Sequence, residues 1–593
     1  MVCHKMPVLA FKQGRNGMER LETKQVNGHT YYYYSRWAKV NGKCRRVWQK
    51  YLGKLQDIVQ AVEGGGPAPQ YAEVFQWGLP QALWNECCAA EVISHVDREC
   101  PKRNQGLSTG EYLAIAALNR AICARSKRSL WEWFSQTTLL RHFSQANASR
   151  LTSQQFWNHM DRIPESSCGT IWRNMLQGVL ERENISLESI CYDGTNFYTF
   201  IDTFNVRCDM ARRGKNKQGR ANLRQVSYAL FCSEDGQLPL FYDLYQGNRN
   251  DAKQFPRMLR AFHAFLKQIA GPGASLPETT LIFDKGNNSK DNFALVDELN
   301  LKFVGSVKPD EHKDLAEISN DDPRFVDCGS ARLEGTKAFC TTKTVYGQQR
   351  TVVVTYNDNL FDAQWRTVQN DLAKAFETLS AIRQRLEDRR SGILHGGQAP
   401  TVASIEKQCR EALSRQHLKA LVPYTVDADE QGLPRLRYEL DTAALDRLCN
   451  TYLGKNILIT NQHAWQQEKI ILAYRSQFLI EDVFKEIKDR SIGSWWPMNH
   501  WTDSKIRIHG LYCTVAILLR GLALRRVHRA RINISMKRFL GELDGIREVI
   551  NVYPRKRSRR TTRQQTVLTK TNELQDRLLS VLGLNKQDGA TLG

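Results

Sequence analysis

The chain has 593 residues, more than one hydrophobic core readily serves, so several domains are expected. Its apolar fraction of 41% and aromatic fraction of 9% are those of a globular protein. Lys and Arg number 84 against 62 Asp and Glu, a formal charge of +22 with a pI near 9.4. Such an excess favours a polyanionic partner, because phosphate contacts release counterions. The 15 cysteines are scattered and form no C-x-x-C, which argues against a zinc site and predicts reduced thiols. Residues 1–17 lack an uninterrupted apolar run, so no signal peptide is predicted. The apolar stretch Leu511–Leu519 ends at Arg520, well short of the ~18–20 residues a membrane span needs. These features predict a cytoplasmic protein without a membrane partner.

Residues 1–63 predict a basic β-hairpin unit. YYYYSRWAKV and KCRRVWQKY flank Asn41-Gly42, a two-residue turn suited to twisted strands. From Ser35 to Lys54 there are seven basic residues and no acidic ones, interleaved with Trp37, Trp48 and Tyr51. The hairpin fits two roles equally, a DNA-contacting ribbon or a sheet whose aromatics pack while its cations face water. Gly64-Gly65-Gly66-Pro67 reads as a linker. Residues 68–182 read as a helical domain from the apolar spacing in EYLAIAALNRAI and SLWEWFSQ, suited to DNA binding or scaffolding.

From residue 185 the pattern changes. ESICYDGTNFYTF, RQVSYALFC and LPLFYDLYQG read as three strands, DAKQFPRMLRAFHAFLKQI as a helix, TTLIFDKG as a strand, DNFALVDELN as a helix and KFVGSVKP as a fifth strand. Hairpins followed by strand–helix–strand predict an α/β fold, a mixed five-stranded sheet flanked by helices over residues 185–309. Residues 310–465 read as an α+β insertion. They contain the hairpin pattern CTTKTVYGQQRTVVVTYN and a long amphipathic helix through Trp365, Val368, Leu372, Phe376, Leu379, Ile382 and Leu386. Residues 466–545 return to the core with helices over 468–489 and 504–526. Residues 546–593 form a basic tail containing PRKRSRRTTR, a phosphate contact or a solvated linker.

The chemistry rests on acids. Asp193 sits inside the apolar strand ICYDGTNFY, and Asp284 ends the strand LIFDKGNNS. A rigid strand fixes a carboxylate and the following turn leaves it open, which suits a metal ligand, although an aspartate at a strand end also commonly makes a turn hydrogen bond. In YRSQFLIEDVFKEIKDR, Ile480, Val483, Phe484 and Ile487 form a core-facing stripe. Helical stepping puts Tyr474, Gln477, Glu481 and Lys488 along its border. Three converging carboxylates suit phosphoryl transfer with two Mg²⁺ ions, Mn²⁺ being an equivalent hard cation.

The chain resembles the DDE transposases of bacterial insertion sequences, in the branch with a ribonuclease-H-like core, a β-rich insertion and a Tyr-x₂-Arg-x₃-Glu-x₆-Lys signature. Tyr474, Glu481 and Lys488 match that spacing; Gln477 occupies the arginine slot, and Arg475 lies on another helix face. RRGKNKQGRANLRQV, FYDLYQGNRND, FDKGNNS, FVGSVKP, NILITN and WPMNHWTDSKIRIHGLYC follow the family order over roughly residues 185–520. The resemblance implies a catalytic, metal-holding triad of Asp193, Asp284 and Glu481, with Tyr474 and Lys488 on the phosphates near the cleaved end. It also implies double-stranded DNA partners, namely terminal inverted repeats and target DNA, and a homodimer that pairs two ends beside the nucleoid.

The acid-free cluster Arg212, Arg213, Lys215, Lys217, Arg220 and Arg224 follows the first-acid strand and is expected to contact the DNA backbone, the alternative being a surface loop. Trp365 and Trp465 are candidates for stacking on a base, with Trp365 better placed for a core role. The expected reaction is cleavage of element ends followed by strand transfer. A nuclease that cuts without joining and an inactive, transposase-derived DNA-binding protein are the alternatives; a basic structural protein of the nucleoid leaves the ordered motifs unexplained.

Overall fold

A computed structural model describes residues 18–40, 42–63, 68–100, 106–215, 219–220, 222–271, 278–429, 432–554 and 563–584. It divides into two compact units, Met1–Trp77 with Asp544–Gly593, and Gly78–Leu543.

In the smaller unit β1 (Met18–Val26), β2 (His29–Val40) and β3 (Lys43–Gly53) make an antiparallel sheet in chain order. The β2–β3 hairpin is the one predicted. Asn41 lies outside the described residues, and Gly42 takes φ +76°, a conformation glycine enters without Cβ strain. Trp37 donates its indole N–H to Glu22 at 2.7 Å, whereas Trp48 and Tyr51 stay 46% and 54% exposed. The aromatics thus divide between packing and display. A further strand, β4 (Tyr71–Gln76), stands where helix was predicted.

The larger unit opens with helices, as expected. A capping box starts Thr109–Ile122: Glu111 N donates to Ser108 Oγ at 3.0 Å and Ser108 N to Glu111 Oε2 at 2.6 Å. Leu113, Ile115, Ala117 and Leu118 of this helix are buried, so it is apolar on every side and belongs to a core.

The central sheet contains β5 (Ser189–Thr199), β6 (Arg212–Arg213), β7 (Arg224–Ser233), β8 (Pro239–Gln246), β9 (Thr280–Phe283) and β10 (Lys302–Val307). The five predicted strands adopt the order β8–β7–β5–β9–β10, with β5, β9 and β10 parallel and β7 and β8 antiparallel. This is the ribonuclease-H-like arrangement. The sheet is larger than the five strands expected. The inserted stretch adds β11 (Val326–Asp327), β12 (Thr336–Val345), β13 (Gln348–Asn357) and, after the hairpin β14 (Tyr424–Ala428) and β15 (Pro434–Tyr438), β16 (Lys455–Thr460). Strand β16 pairs with both β10 and β13, so among the described residues ten strands share one sheet. The rest of the insertion has its own apolar cluster around the helix Asp358–Arg390, where Val368, Leu372, Leu379, Ile382 and Leu386 are buried. Trp365 and Phe376 pack against that cluster half-buried, so Trp365 serves the core.

Strand alternation divides the core sheet into two faces. On one, Tyr192 and Phe231 meet Phe255 and Phe262 of the helix Asp251–Ala270, with Phe231 and Phe262 stacked at 4.1 Å. On the other lies the 27-residue helix Asp503–Arg529, whose Thr514 Oγ1 is 2.9 Å from the Tyr228 hydroxyl. Gly510 and Gly521 let this helix approach β8: a Cβ there would stand 2.5 Å from Leu244 Cδ1 and 2.6 Å from Leu238 Cδ2. The helix is longer than its apolar motif foretold and apolar enough to cross a membrane, but 89% of its most apolar window is buried, as in a core helix.

The chain returns to the smaller unit through β17 (Arg547–Val552) and β18 (Gln564–Leu568), with β17 between β18 and β4. A helix, Glu573–Val581, follows. The described part of the predicted basic tail is therefore folded. Residues 555–562 of the basic run, like the linker 64–67, lie outside the described residues.

Candidate active site

The site begins with register. Strands β5 and β9 are parallel, and Tyr192 pairs with Phe283, so Asp193 and Asp284 occupy the next rung together. Strand β10 extends the row. Phe303 pairs with Leu281 and Val304 with Ile282, which carries Ser306 to the level of Asp284. In-register residues of a parallel sheet point to the same face, with neighbouring strands about 4.8 Å apart. Asp193, Asp284 and Ser306 therefore form one polar row across three strands. Each aspartate accepts from the next backbone N–H: Gly194 N to Asp193 Oδ1 at 2.7 Å and Lys285 N to Asp284 Oδ1 at 2.7 Å. These bonds fix both carboxylates, Asp193 inside β5 and Asp284 just past the end of β9.

The third acid comes from a helix pair. One helix was predicted over 468–489, but the segment is two, Gln467–Arg475 and Phe478–Lys488. At the break, Gln477 N bonds to Tyr474 O at 3.2 Å and Leu479 N to Ser476 O at 2.9 Å, a tighter, 3₁₀-like turn. Ser476 is buried with its Oγ 3.5 Å from Cys191 Sγ, and Lys488 donates to Thr195 Oγ1. The second helix thus runs along β5 from two residues before Asp193 to two residues after it. At about 1.5 Å per helical residue and 3.3 Å per strand residue, Glu481 and Asp193 come level. Ile480, Val483, Phe484 and Ile487 are buried as the predicted stripe, leaving Glu481 on the exposed border.

Tyr474 joins the parts. Its hydroxyl is 2.8 Å from Ser306 Oγ. Burial pushes the phenol above its ordinary range, the Ser306 bond opposes this, and the charges of Asp284 and Glu481 raise it further. One phenol therefore feels both acids. Among the described residues, no group of three or more His, Cys, Asp or Glu side chains is gathered closely enough to hold a metal ion. The acids adjoin one polar row without forming a finished cage. Their donor chemistry fits a hard divalent cation, since carboxylate oxygens are the preferred ligands of Mg²⁺.

The remaining signature positions differ in kind. Lys488 Nζ lies 5.5 Å from the Phe197 ring centre, at the end of β5. Arg475 is committed elsewhere, donating to Arg332 O at 3.2 Å and Thr336 Oγ1 at 2.7 Å, so it does not replace the missing arginine at Gln477. Trp465 stacks under Lys469, 4.0 Å from Nζ to the ring centre.

The basic cluster also separates. Arg224 is buried and donates to Asp202 O at 3.1 Å and Asn205 O at 3.0 Å, so it braces the loop after β5. Arg213 donates to Thr203 Oγ1 at 2.9 Å, and Arg212 pairs with Asp209. Lys215 is exposed, its carbonyl accepting from Gln225 Nε2 at 3.2 Å, and Arg220 lies 5.3 Å from the Tyr198 ring. Lys217 lies outside the described residues. Sequence reasoning missed two features. The braced loop displays Phe200, Phe204 and Val206 at 74%, 89% and 90% exposure, beside Arg207 and Trp501. Asp251 accepts from the Tyr245 hydroxyl at 3.0 Å, and a Cβ on Gly194 would stand 3.7 Å from its Oδ1, which puts a further carboxylate beside Gly194, on the sheet face opposite that of the Asp193 side chain. Its only local signal was the strand exit GNRND.

Residues 188–517 match the family described as "Transposase DDE domain", more than half of the chain. The chain belongs to this family of transposases. The matched span of the transposase includes Asp193, Asp284 and Glu481. No curated protein matches it. Among solved structures it is similar to the piggyBac transposase synaptic complex with hairpin DNA, at 10% identity over 79% of each chain and a TM-score of 0.34. It is also similar to the Mos1 transposase paired-end complex with the left transposon end, at 13% identity over 34% of this chain and 60% of that one, with a TM-score of 0.14.

Proposed function

We propose that this transposase cuts the ends of a mobile element and joins the freed 3′ ends to target DNA, with Asp193, Asp284 and Glu481 as its catalytic acids. The observation that carries the proposal is the shared rung of Asp193 and Asp284 on parallel strands, with Glu481 brought level by the helix along β5. These residues would hold Mg²⁺, which supplies an acidified water or 3′-hydroxyl and charge for the leaving oxygen.

The protein's own side chains do the positioning. The backbone bonds to Asp193 and Asp284 keep both carboxylates aimed out of the sheet. Tyr474, anchored on Ser306, presents a phenol that hydrogen-bonds a phosphate oxygen between the acids. Lys488, placed by Thr195, supplies a cation on the leaving side. Arg213, Lys215 and Arg220 follow the DNA backbone leading away from the cut, and the exposed Phe200 and Phe204 lie along that path. No covalent link to the protein is required, because each step is an in-line displacement at phosphorus.

The test incubates the purified chain with its element's end sequence and Mg²⁺, maps the cut strands, and offers pre-cleaved ends to a target plasmid. Cutting and joining by the wild type, both lost in Asp284→Asn, are expected. Cutting without joining would reduce the function to that of a nuclease, and full activity in Asp284→Asn would remove that residue from the site.

A further inference from the structure

We propose that Asn288 is a positioning residue for the reaction: it ties the turn that aims the Asp284 carboxylate to β10 at Ser306, so that Asp284 is set for a divalent cation before one binds. The inference rests on Asp284 serving as a catalytic acid.

Strand β9 ends at Phe283, and Lys285–Asn287 forms a single 3₁₀ turn. Asp284 caps it. Its Oδ1 accepts from Lys285 N at 2.7 Å and its carbonyl from Asn287 N at 3.1 Å. Asn288 N closes the turn on Lys285 O at 3.2 Å. One such turn has too few bonds to hold its shape alone, so its outer contacts decide where the carboxylate points. Strand β9 pairs with β10 only as far as Ile282 and Val304. Two residues further along β10, Asn288 Nδ2 donates to Ser306 O at 2.7 Å, so a side chain takes over where the strand has left. Ser306 is thereby a junction. Its carbonyl holds the Asp284 turn, and its hydroxyl meets Tyr474, at the end of the helix before Glu481. A second brace comes from Asn292, whose Nδ2 donates to Asn287 O at 2.6 Å and to Ala252 O at 3.1 Å.

The amide is present for its donor end. Asn288 Oδ1 is buried without a partner, and a buried unpaired acceptor destabilises a fold. Leucine would fill a similar volume without that penalty, but would offer Ser306 O no donor. The bond to Ser306 therefore accounts for the asparagine, and the group that bond steadies is Asp284.

The test measures cation binding without turnover. Mn²⁺ uptake by the full chain, free of DNA, is followed by electron paramagnetic resonance in the wild type, Asn288→Leu, Asn288→Ala and Asp284→Asn. The Mg²⁺ needed for half-maximal end cleavage is measured in parallel. In both Asn288 variants Mn²⁺ affinity is expected to fall, and the Mg²⁺ requirement to rise, about tenfold. Cleavage should recover at saturating Mg²⁺, with the melting temperature near wild type, whereas Asp284→Asn should lose the site. Wild-type Mn²⁺ affinity in a folded Asn288 variant, with the site lost in Asp284→Asn, overturns the role of Asn288 and leaves the acids in place. A lowered melting temperature in both Asn288 variants, with cleavage lost at every Mg²⁺ concentration, makes Asn288 a folding residue and overturns it too. No uptake by the wild type, or uptake unchanged in Asp284→Asn, overturns the reading of the acids and this inference with it.

Discussion

The Tyr474 hydroxyl stands 2.8 Å from Ser306 Oγ, which ties the turn before Glu481 to the strand beside Asp284. Tyr474→Phe keeps the ring and removes the bond. The expected cost is about 1 kcal/mol of stability and about tenfold in end cleavage, if the phenol also meets a phosphate oxygen. Urea unfolding and cleavage kinetics measure the two separately. A stability loss with cleavage unchanged would leave Tyr474 only its architectural role.

Asp193→Asn, Asp284→Asn and Glu481→Gln preserve volume and remove charge. Each is expected to lower cleavage ~100-fold or more, since changes to outer-shell partners at metal sites already cost about 10–100-fold. Gel-shift binding to the element end and the melting temperature should stay near wild type. A variant that cleaves normally would exclude its residue from the triad.

The arginines of the loop after β5 should behave oppositely. Arg213→Ala and Arg220→Ala, at solvent-facing positions, should each reduce the slope of log affinity against log salt by about one while leaving the fold stable. Arg224→Ala removes the brace on Asp202 O and Asn205 O, so it should melt the loop and lower stability first. Equal salt slopes in all three proteins and the wild type would place DNA elsewhere.

Phe204, 89% exposed, packs on little. Phe204→Ala should leave the melting temperature unchanged and weaken binding to DNA ends about tenfold, within the ~1–3 kcal/mol that stacking contributes per base. Titration of labelled ends decides; unaltered binding would detach this loop from the DNA path.

Glu486, on the Glu481 helix, is pushed up to about 7 by burial, with Arg520 opposing and Asp482 reinforcing the shift. The folded protein therefore keeps a proton that the unfolded chain loses near the ordinary 4.5. This stabilisation is complete below that value and is lost as pH rises through 7, about 3 kcal/mol in all. Glu486→Gln should flatten this slope in urea unfolding between pH 4.5 and 8. A slope that persists would assign it to other groups.

Much of the candidate site was legible because its signals are local. The apolar run around Asp193, the strand end at Asp284 and the stripe Ile480–Ile487 are patterns within a dozen residues. What they could not convey is partnership. That β9 lies beside β5 in a register matching Asp193 to Asp284 is a pairing across about ninety residues. Arg213 and Arg224 read alike in a basic run, yet one faces solvent and the other holds carbonyls. The break at Ser476–Gln477 was hidden by helical residues on both sides.

The same division explains β4. Its alternation is short, and its partner β17 begins hundreds of residues later, so nothing nearby distinguished strand from helix. Periodicity within the chain was enough to choose the element types of residues 185–309 and the burying face of the Glu481 helix, because these depend on neighbours along the backbone; the triad itself was implied by the family resemblance. Which strands adjoin, how many share the sheet, and which cations are left for DNA depended on contacts between distant segments, where burial and hydrogen-bond partners are settled only when the chain has closed on itself.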